Sequence, residues 1–363
     1  GSLSIASSPT ELDITDSRIV GAGTTGVTLG KVKFTATGEE LKLTKVRINL
    51  ISANASADVL DDVSSVSLYD GATLVAGPVS FVVGTGGTND GVADVNAFLT
   101  DFVIPKDATK NLTIKANLNA IATGADSGDE ISVSIDPTLN FEARGTSGNT
   151  LLTSATGTAV GNAVVLRKSQ PKVEIVALPT TTLGNGTQVL QRFKVTAVDG
   201  DVALKHVTFS VANSDGVNVS LTNLALREVG AGSSYTITSA QAGTTTIVVD
   251  ITLNSEVQIS AGTSKNFDFR ADVVGAGAGD SLATRILGDS TAVTGELGAA
   301  LAAAQTIDDL DNVFTYGPVG NNSSDDAAFN FIWSDMSGSG TGNPTHNDTI
   351  AVGVNTDEAG SSN

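Results

Sequence analysis

The sequence contains no cysteine and only two histidines. The lack of cysteine excludes disulfides, thiolate metal sites and cysteine nucleophiles together. His206 falls among the polar positions of a predicted strand, and His346 falls in a polar tail, so both are interpreted as surface residues. With so few nitrogen and sulfur ligands, zinc and copper sites of the usual kinds are nearly excluded.

Positive charge is also scarce. The 363 residues carry 20 Lys and Arg against 39 Asp and Glu, which gives a formal net charge of −19 and a pI near 4.3. Such a chain repels phosphate backbones, and no basic patch interrupts it, so nucleic-acid binding is not expected. A membrane-spanning helix requires a run of about 18 apolar residues, and the sequence has no run of that length, so no membrane span is predicted.

Aromatic residues make up 4% of the chain, with one Trp and three Tyr. Glycosidases need two carboxylates across a cleft, usually with aromatic platforms for the sugar, so this composition fits that activity poorly. The Gly-x-Ser-x-Gly pattern of hydrolase nucleophiles and the Gly-Lys-Ser/Thr ending of phosphate-binding loops are both missing. We therefore predict that the protein is not an enzyme and has no catalytic residue.

The residues that dominate are Gly, Ser, Thr, Asn, Asp, Ala and Val. This composition is typical of extracellular β proteins. A soluble acidic enzyme, by contrast, usually carries more Glu, Lys and Arg on helices. The chain begins with Gly1 and Ser2 rather than Met, which is consistent either with removal of a signal peptide or with a cloning scar. We predict a secreted protein that is extracellular or on the cell surface.

An internal repeat organises the chain. Residues 29–50 return without a gap at residues 190–211, with apolar residues at every other position in both copies. Because successive strand side chains point to opposite faces, this alternation predicts half-buried strands. We interpret each copy as a β-hairpin, and the first one turns at residues 37–40.

Two further segments repeat. Residues 102–118, also interpreted as a hairpin, return at 257–273, and residues 124–133 return at 275–284. The strands stay in phase while the loops change length, as expected of one fold copied twice. The sequence therefore predicts an all-β protein with two tandem β-sandwich domains. The predicted boundaries are 1–169 for the first repeat, 170–335 for the second, and 336–363 for a Gly/Ser/Asn-rich C-terminal extension with one strand-like segment.

Carboxylates are the one plentiful reactive group, and calcium is the cofactor that they best suit. Calcium takes six to eight oxygen ligands from clustered acidic side chains, amides and main-chain carbonyls in loops. None of the acidic clusters has the full twelve-residue calcium-loop pattern, and each alone is also consistent with a solvated acidic turn. The candidate metal-binding clusters are Asp58, Asp61 and Asp62; Asp126, Asp129 and Glu130; Asp199 and Asp201; and Asp308, Asp309 and Asp311.

Four segments carry a resemblance to a known group of proteins. They are residues 161–173 (Gly-Asn-Ala-Val-Val-Leu-Arg-Lys-Ser-Gln-Pro-Lys-Val), residues 190–197 (Leu-Gln-Arg-Phe-Lys-Val-Thr-Ala), residues 207–209 (Val-Thr-Phe) and residues 330–335 (Asn-Phe-Ile-Trp-Ser-Asp). Here the chain resembles large secreted surface proteins of candidate-phylum bacteria. The resemblance implies tandem immunoglobulin-like β-sandwich domains, a cell-surface location and a stalk, surface-layer or filament role. By fold alone, the architecture also resembles bacterial surface-layer and pilus subunits.

These observations together predict a non-enzymatic extracellular structural protein, a subunit of a surface layer or filament. The expected partner is a second copy of the chain, bound through sheet edges or through the terminal segments 3–5 and 349–354, because a β edge is a template for strand pairing. The alternative is an adhesin or carbohydrate-binding surface module. In that case, loops 52–62 and 84–91 would hold a cell-wall or surface glycan.

Overall fold

The structure is a computed structural model. Apart from a short 3₁₀ turn at Ile121–Thr123, all regular elements in the residue ranges that it describes, given below, are strands. The predicted all-β class is confirmed. Within these ranges, no helix is long and apolar enough to cross a bilayer. The described residues are 1–8, 18–52, 59–84, 91–127, 129–147, 150–161, 163–287, 331–336, 350–352 and 360–362.

The chain divides into two compact units, Gly1–Arg167 and Lys168–Asn363. The boundary predicted from the sequence lies between residues 169 and 170. We call the first unit 1 and the second unit 2, and each is described by itself.

Unit 1 contains two sheets that enclose one apolar core. One sheet has the strand order β1-β3-β10-β5-β6, and the other has the order β13-β12-β4-β11-β15-β2, with β8 and β9 also on β4, β7 on β8 and β14 on β11. The strands are β1 Ser2–Ser7, β2 Arg18–Gly21, β3 Val27–Thr37, β4 Leu41–Ser52, β5 Val63–Asp70, β6 Thr73–Val79, β7 Val82–Val83, β8 Gly91–Val95, β9 Phe102–Ile104, β10 Thr109–Leu118, β11 Glu130–Asp136, β12 Glu142–Gly145, β13 Leu151–Leu152, β14 Ala159–Val160 and β15 Val164–Arg167.

Unit 2 repeats this arrangement. Its sheets have the orders β16-β17-β22-β19 and β20-β21-β18-β23-β26, with β24 on β18 and β25 on β24. The strands are β16 Gln170–Val176, β17 Gly186–Val198, β18 Val202–Asn213, β19 Ser220–Glu228, β20 Ile237–Ala242, β21 Thr246–Ile259, β22 Ser264–Val274, β23 Leu282–Ile286, β24 Phe331–Ser334, β25 Ile350–Val352 and β26 Gly360–Ser362.

The inward positions predicted from the alternation are buried in both copies. Aromatic rings bridge the two sheets: Phe34 packs edge-on against Phe102 with ring centroids 5.6 Å apart, and Phe209 stacks on Phe269 at 4.2 Å. The predicted phase of the core is therefore confirmed. The buried residues are Val32, Phe34, Ala36, Leu41, Leu43, Val46, Ile48 and Leu50 in unit 1, and Phe193, Val195, Ala197, Val202, Leu204, Val207, Phe209 and Val211 in unit 2.

The hairpin interpretation of residues 29–50 is wrong. β3 pairs with β1 and β10, whereas β4 pairs with β8, β9, β11 and β12, so the two strands lie in opposite sheets. The same holds for β17 and β18 at residues 190–211, and for β9 and β10 at residues 102–118. Alternation shows that one face of each strand is buried. Two strands that face each other across a core satisfy that condition as well as two paired strands do.

The last strands of unit 2 repeat the end of unit 1. β24 pairs with β18 with Trp333 opposite Leu204, just as β12 pairs with β4 with Ala143 opposite Leu43. β25 then pairs with β24 as β13 pairs with β12, and β26 pairs with β23 as β14 pairs with β11. The strands at 350–352 and 360–362, within the predicted extension, thus belong to a sheet of unit 2.

A matched pair of valine substitutions tests the predicted inward phase in unit 2. Val211 is fully buried and Val217 is 92% exposed. Val211→Ala should reduce the free energy of unfolding by about 2 kcal/mol, because it removes two buried methyl groups and leaves a small cavity. Trp333 is the only Trp and lies in the core of unit 2, so its fluorescence during urea unfolding reports on this unit.

Val217→Ala is the control and should change the free energy of unfolding by less than about 0.5 kcal/mol. Equal urea midpoints for the two variants would contradict the burial of Val211.

Candidate functional site

Two of the predicted acidic clusters lie together at one end of unit 1. Asp62 immediately precedes β5, and Asp126 and Asp129 lie in the loop from β10 to β11. The Asp126 amide donates a 3.0 Å hydrogen bond to Asp62 Oδ1. The Asp62 carboxyl group is also within hydrogen-bonding reach of the Asp129 carboxyl group, and the negative charge of Asp61 acts on it as well. We call Asp62 and Asp129 the carboxyl pair.

Asp62 is 0% exposed, and its Oδ2 receives no hydrogen bond from an N–H or O–H group of the described residues. Burial raises the pKa of Asp62 well above its ordinary value against the lowering effect of the Asp126 amide, and the charges of Asp129 and Asp61 raise it further. Two carboxylates in contact repel each other strongly when both are ionised. A proton or a cation on the carboxyl pair would remove this repulsion.

Main-chain hydrogen bonds fix the position of the carboxyl pair. Asn119 donates its amide to the Asp62 carbonyl at 2.8 Å and its side-chain Nδ2 to the Asp61 carbonyl at 2.6 Å. The Leu166 amide in β15 donates to the Asp129 carbonyl at 2.8 Å. The 3₁₀ turn that leads into the loop ends at Gly124, whose φ of 118° favours glycine. The start of β5, the β10–β11 loop and β15 together hold the two carboxyl groups.

Unit 2 does not reproduce the buried acid. Val63 lies opposite Leu118 in unit 1, and Leu221 lies opposite Val273 in unit 2, so Ser220 occupies the position of Asp62. Ser220 is exposed. In the sequence repeat, Asp280 takes the place of Asp129, and its Oδ2 accepts a 2.7 Å hydrogen bond from the Gly277 amide of its own turn.

Asp199 and Asp201 do not join this pair. Asp199 and Asp201 lie exposed in the turn between β17 and β18, where Asp201 Oδ1 accepts a 2.7 Å hydrogen bond from the Ala261 amide. Glu130 begins β11 and pairs with Val165 through its backbone. Within the described ranges, no three acidic or histidine side chains converge as metal ligands. The remaining predicted residues, Asp58, Asp308, Asp309 and Asp311, lie outside the described residues.

The interpretation of His206 as a surface residue is wrong. β18 is buried on both faces from Val202 to Val211, so its polar positions are covered as well. The Thr208 hydroxyl donates to Asp250 Oδ1 at 2.7 Å, so His206 Nε2, 3.0 Å from Thr208 Oγ1, must itself donate. Nδ1 then accepts from the Thr252 hydroxyl at 2.8 Å. These bonds define one neutral tautomer.

Burial, with a smaller contribution from the nearby charge of Lys205, lowers the pKa of His206 to about 3. His206 is therefore neutral at physiological pH, and its 3.8 Å approach to Asp250 is not an ion pair. The imidazole is a hydrogen-bonded part of the unit 2 interior. Alternation within β18 could not reveal this, because it carries no information on what covers the outer face.

Most of the longer edge strands carry features that block the addition of another strand. Thr156 exchanges main-chain hydrogen bonds with β1. β6 contains Pro78, β16 contains Pro171 and the charged Lys172, and β19 is bulged after Thr222. Proline, charge and bulges are the usual means by which β proteins avoid edge-to-edge association.

β20 is an edge strand of a different kind. Its sequence, Ile-Thr-Ser-Ala-Gln-Ala, has no charge and no proline, and its pairing with β21 has no bulge. In an antiparallel ladder, residue pairs that exchange main-chain hydrogen bonds alternate with pairs that do not. The Asn254 amide donates to the Thr236 carbonyl at 3.0 Å, so Thr236 belongs to a hydrogen-bonded pair. The alternate residues Ile237, Ser239 and Gln241 therefore direct their N–H and C=O groups away from β21. Among the described residues, no group pairs with these main-chain donors and acceptors, so β20 presents an open row of them there.

The terminal segments predicted to dock onto a neighbour are paired within their own units. Residues 3–5 lie in β1, which pairs with β3, and Leu3 and Ile5 are buried. Ile350–Val352 forms β25, which pairs with β24. These residues are therefore strands of the sheets of their own units.

Comparisons with known proteins add little. No protein-family model matches the chain. No curated protein sequence matches it either.

Several solved structures show a weak likeness. The C-terminal domain of the AgI/II polypeptide BspA of Streptococcus agalactiae is 10% identical over 79% of this chain and 95% of that chain, with a TM-score of 0.20. The T6 backbone pilin of serotype M6 Streptococcus pyogenes is 12% identical over 69% and 58%, with a TM-score of 0.17. A cohesin–dockerin complex from Clostridium thermocellum is 9% identical over 46% and 94%, with a TM-score of 0.20. At TM-scores this low, the likeness carries no inference about fold, partners or function.

The buried His206 predicts a specific pH dependence of stability. The unfolded chain binds a proton on this imidazole below about pH 6.5, whereas the folded chain binds it only below about pH 3. Between these values the unfolded state binds more protons, so stability falls as pH falls, by up to about 1.4 kcal/mol per pH unit from this group. Urea unfolding followed by Trp333 fluorescence, at a series of pH values, measures this slope.

Since carboxylates titrate in the same range, the difference between wild type and His206→Gln isolates the histidine. The variant should lose less stability than wild type between about pH 6.5 and pH 5. Parallel curves for the two proteins would contradict a buried neutral His206.

Proposed function

We propose that this chain is a non-enzymatic extracellular structural protein, a subunit of a surface layer or filament that assembles through the open edge of β20. The observation that carries this proposal is the open row of main-chain groups on β20, while the other longer edges among the described strands carry features that block strand addition. Monomeric β proteins usually protect such edges, because an unprotected edge pairs with other chains. The occupant of the edge is a strand from a second copy of this chain.

Strand addition at β20 would give directional main-chain hydrogen bonds. The outward groups of Ile237, Ser239 and Gln241 would each gain partners, and a typical backbone hydrogen bond contributes about 0.5–1.5 kcal/mol net. Pairing of β20 with β20 would close a symmetric dimer, whereas a polymer requires a head-to-tail contact between two different surfaces. In a layer or filament, β20 would therefore pair with a segment of the next subunit that is neither β20 nor one of the blocked longer edges.

Arginine–aspartate pairs join neighbouring strands on the outer faces of the sheets, which supports a stiff structural module. Arg47 in β4 holds Asp94 in β8 with two hydrogen bonds of 2.6 and 2.8 Å, and Arg192 in β17 holds Asp268 in β22 with the same two lengths. The Arg47 guanidinium lowers the pKa of the Asp94 carboxyl group. An arginine–aspartate pair of this kind connects two neighbouring strands through two parallel hydrogen bonds.

The extracellular location rests on composition: an acidic chain without cysteine and rich in Gly, Ser, Thr and Asn. The resemblance to surface proteins of candidate-phylum bacteria supports the same location and stays a prediction.

The adhesin alternative has less support. In the two loops expected to hold a glycan, residues 53–58 and 85–90 lie outside the described residues. An open pocket of about 460 Å³ in unit 2 is lined by Asn185, Thr187, Asp272 and their neighbours, with no aromatic side chain for a sugar ring to stack on. Glycan binding therefore stays a prediction.

Substitution of Ser239 tests assembly at the β20 edge. Ser239→Pro removes an outward N–H group and leaves the hydrogen bonds between β20 and β21 in place. Ser239→Lys adds a charge at the same position, and Ser239→Ala is the control that keeps the amide. Wild type and Ser239→Ala should form filaments or a lattice at high concentration in negative-stain images, while the proline and lysine variants stay monomeric with unchanged circular dichroism.

Two outcomes would contradict the proposal. A wild-type chain that stays monomeric at high concentration, with no fibre or lattice, removes the assembly role. Assembly of both Ser239→Pro and Ser239→Lys to the same extent as wild type removes β20 as the contact.

A further inference from the structure

Asp62 is a buried acid that the fold does not require. Its counterpart Ser220 builds the same strand start in unit 2 without a carboxylate. Burial of an ionised carboxylate is unfavourable unless donors or a positive charge compensate for the lost hydration. Asp62 has one such donor, the Asp126 amide on Oδ1, while Oδ2 is buried with no donor among the described residues.

The two charged side chains with the largest charge effects on the Asp62 carboxyl group are negative. They are Asp129, whose carboxyl group is in contact with it, and the adjacent Asp61. The whole chain adds to this with a formal net charge of −19. A positive ion small enough to fit between the two carboxyl groups would offset these negative charges.

We propose that Asp62 and Asp129 bind one hard divalent cation of the calcium type at the end of unit 1. Carboxylate oxygens from loops are preferred ligands of such ions, and main-chain carbonyl and water oxygens complete their coordination. Two acidic clusters that are separate in the sequence thus contribute to one site. Asp61 and Asp126 add negative potential around it.

The bound ion would join the start of β5 to the β10–β11 loop. Asn119 already holds Asp61 and Asp62 in place through two hydrogen bonds, so the ion meets a largely formed site. An ion that binds the folded chain and not the unfolded chain raises thermal stability. The site in unit 1 would therefore couple extracellular calcium to the stability of that unit, independently of any assembly through β20 in unit 2.

Calcium titration of the full-length chain tests this site. The protein is stripped with a chelator, Ca²⁺ binding is measured by calorimetry, and thermal unfolding is followed by circular dichroism with Ca²⁺ and with chelator. Wild type should bind one Ca²⁺ more tightly than any other and should melt at a higher temperature with Ca²⁺ present. Asp62→Asn and Asp129→Asn should each weaken that binding at least about tenfold, since each removes a charged ligand.

Asp280→Asn is the matched control, because it changes the equivalent acid of unit 2, and it should bind Ca²⁺ as wild type does. The proposal fails if wild type shows neither binding heat nor a melting shift, in which case the carboxyl pair shares a proton instead. It also fails if both Asp62→Asn and Asp129→Asn bind Ca²⁺ as tightly as wild type. If Asp62→Asn does not fold, Asp129→Asn alone decides.

Discussion

The apolar layer between the two sheets is the interaction on which each unit depends. A tight turn after β3 sends the chain across this layer into β4, so the inward residues of the two strands face each other. Each buried Leu, Ile, Val or Phe contributes about 1.5–3 kcal/mol relative to an exposed one. The turn itself needs a left-handed residue, and Gly38 with φ of 87° and Asp199 with φ of 64° supply it in the two copies. Loops and outer faces are free to differ once this layer is formed.

The buried phase of the strands could be predicted from sequence, and their pairing could not. Leu43 and Leu204 occupy matching apolar positions and are fully buried in both copies. The same alternation fits a hairpin and a pair of strands in opposite sheets, because it reports on one face and not on neighbours. For the same reason, the polar position of His206 predicted exposure, while the structure covers both faces of β18.

The carboxyl pair shows a similar limit. Asp62 and Asp129 each read as part of a local acidic turn, and only the pairing of β10 with β5 and of β11 with β15 brings their loops together. One sequence signal did mark the site: the repeat places Ser220 where unit 1 has Asp62. Residues that the two copies share build the core, so a buried acid found in one copy points to a role outside folding.

The two units use one scaffold in different ways. Unit 1 has the carboxyl pair. The edge strand that pairs with β8 in unit 1 is β7, which has two residues, whereas the matching edge strand of unit 2 is the longer β20. Assembly through that edge is the central claim. Hydrogen exchange of the outward amides of Ile237, Ser239 and Gln241 tests it most directly, in dilute and in concentrated protein. These amides should exchange rapidly in the monomer and slowly in the assembled material. Assembled material in which they exchange as fast as in the monomer would contradict the account.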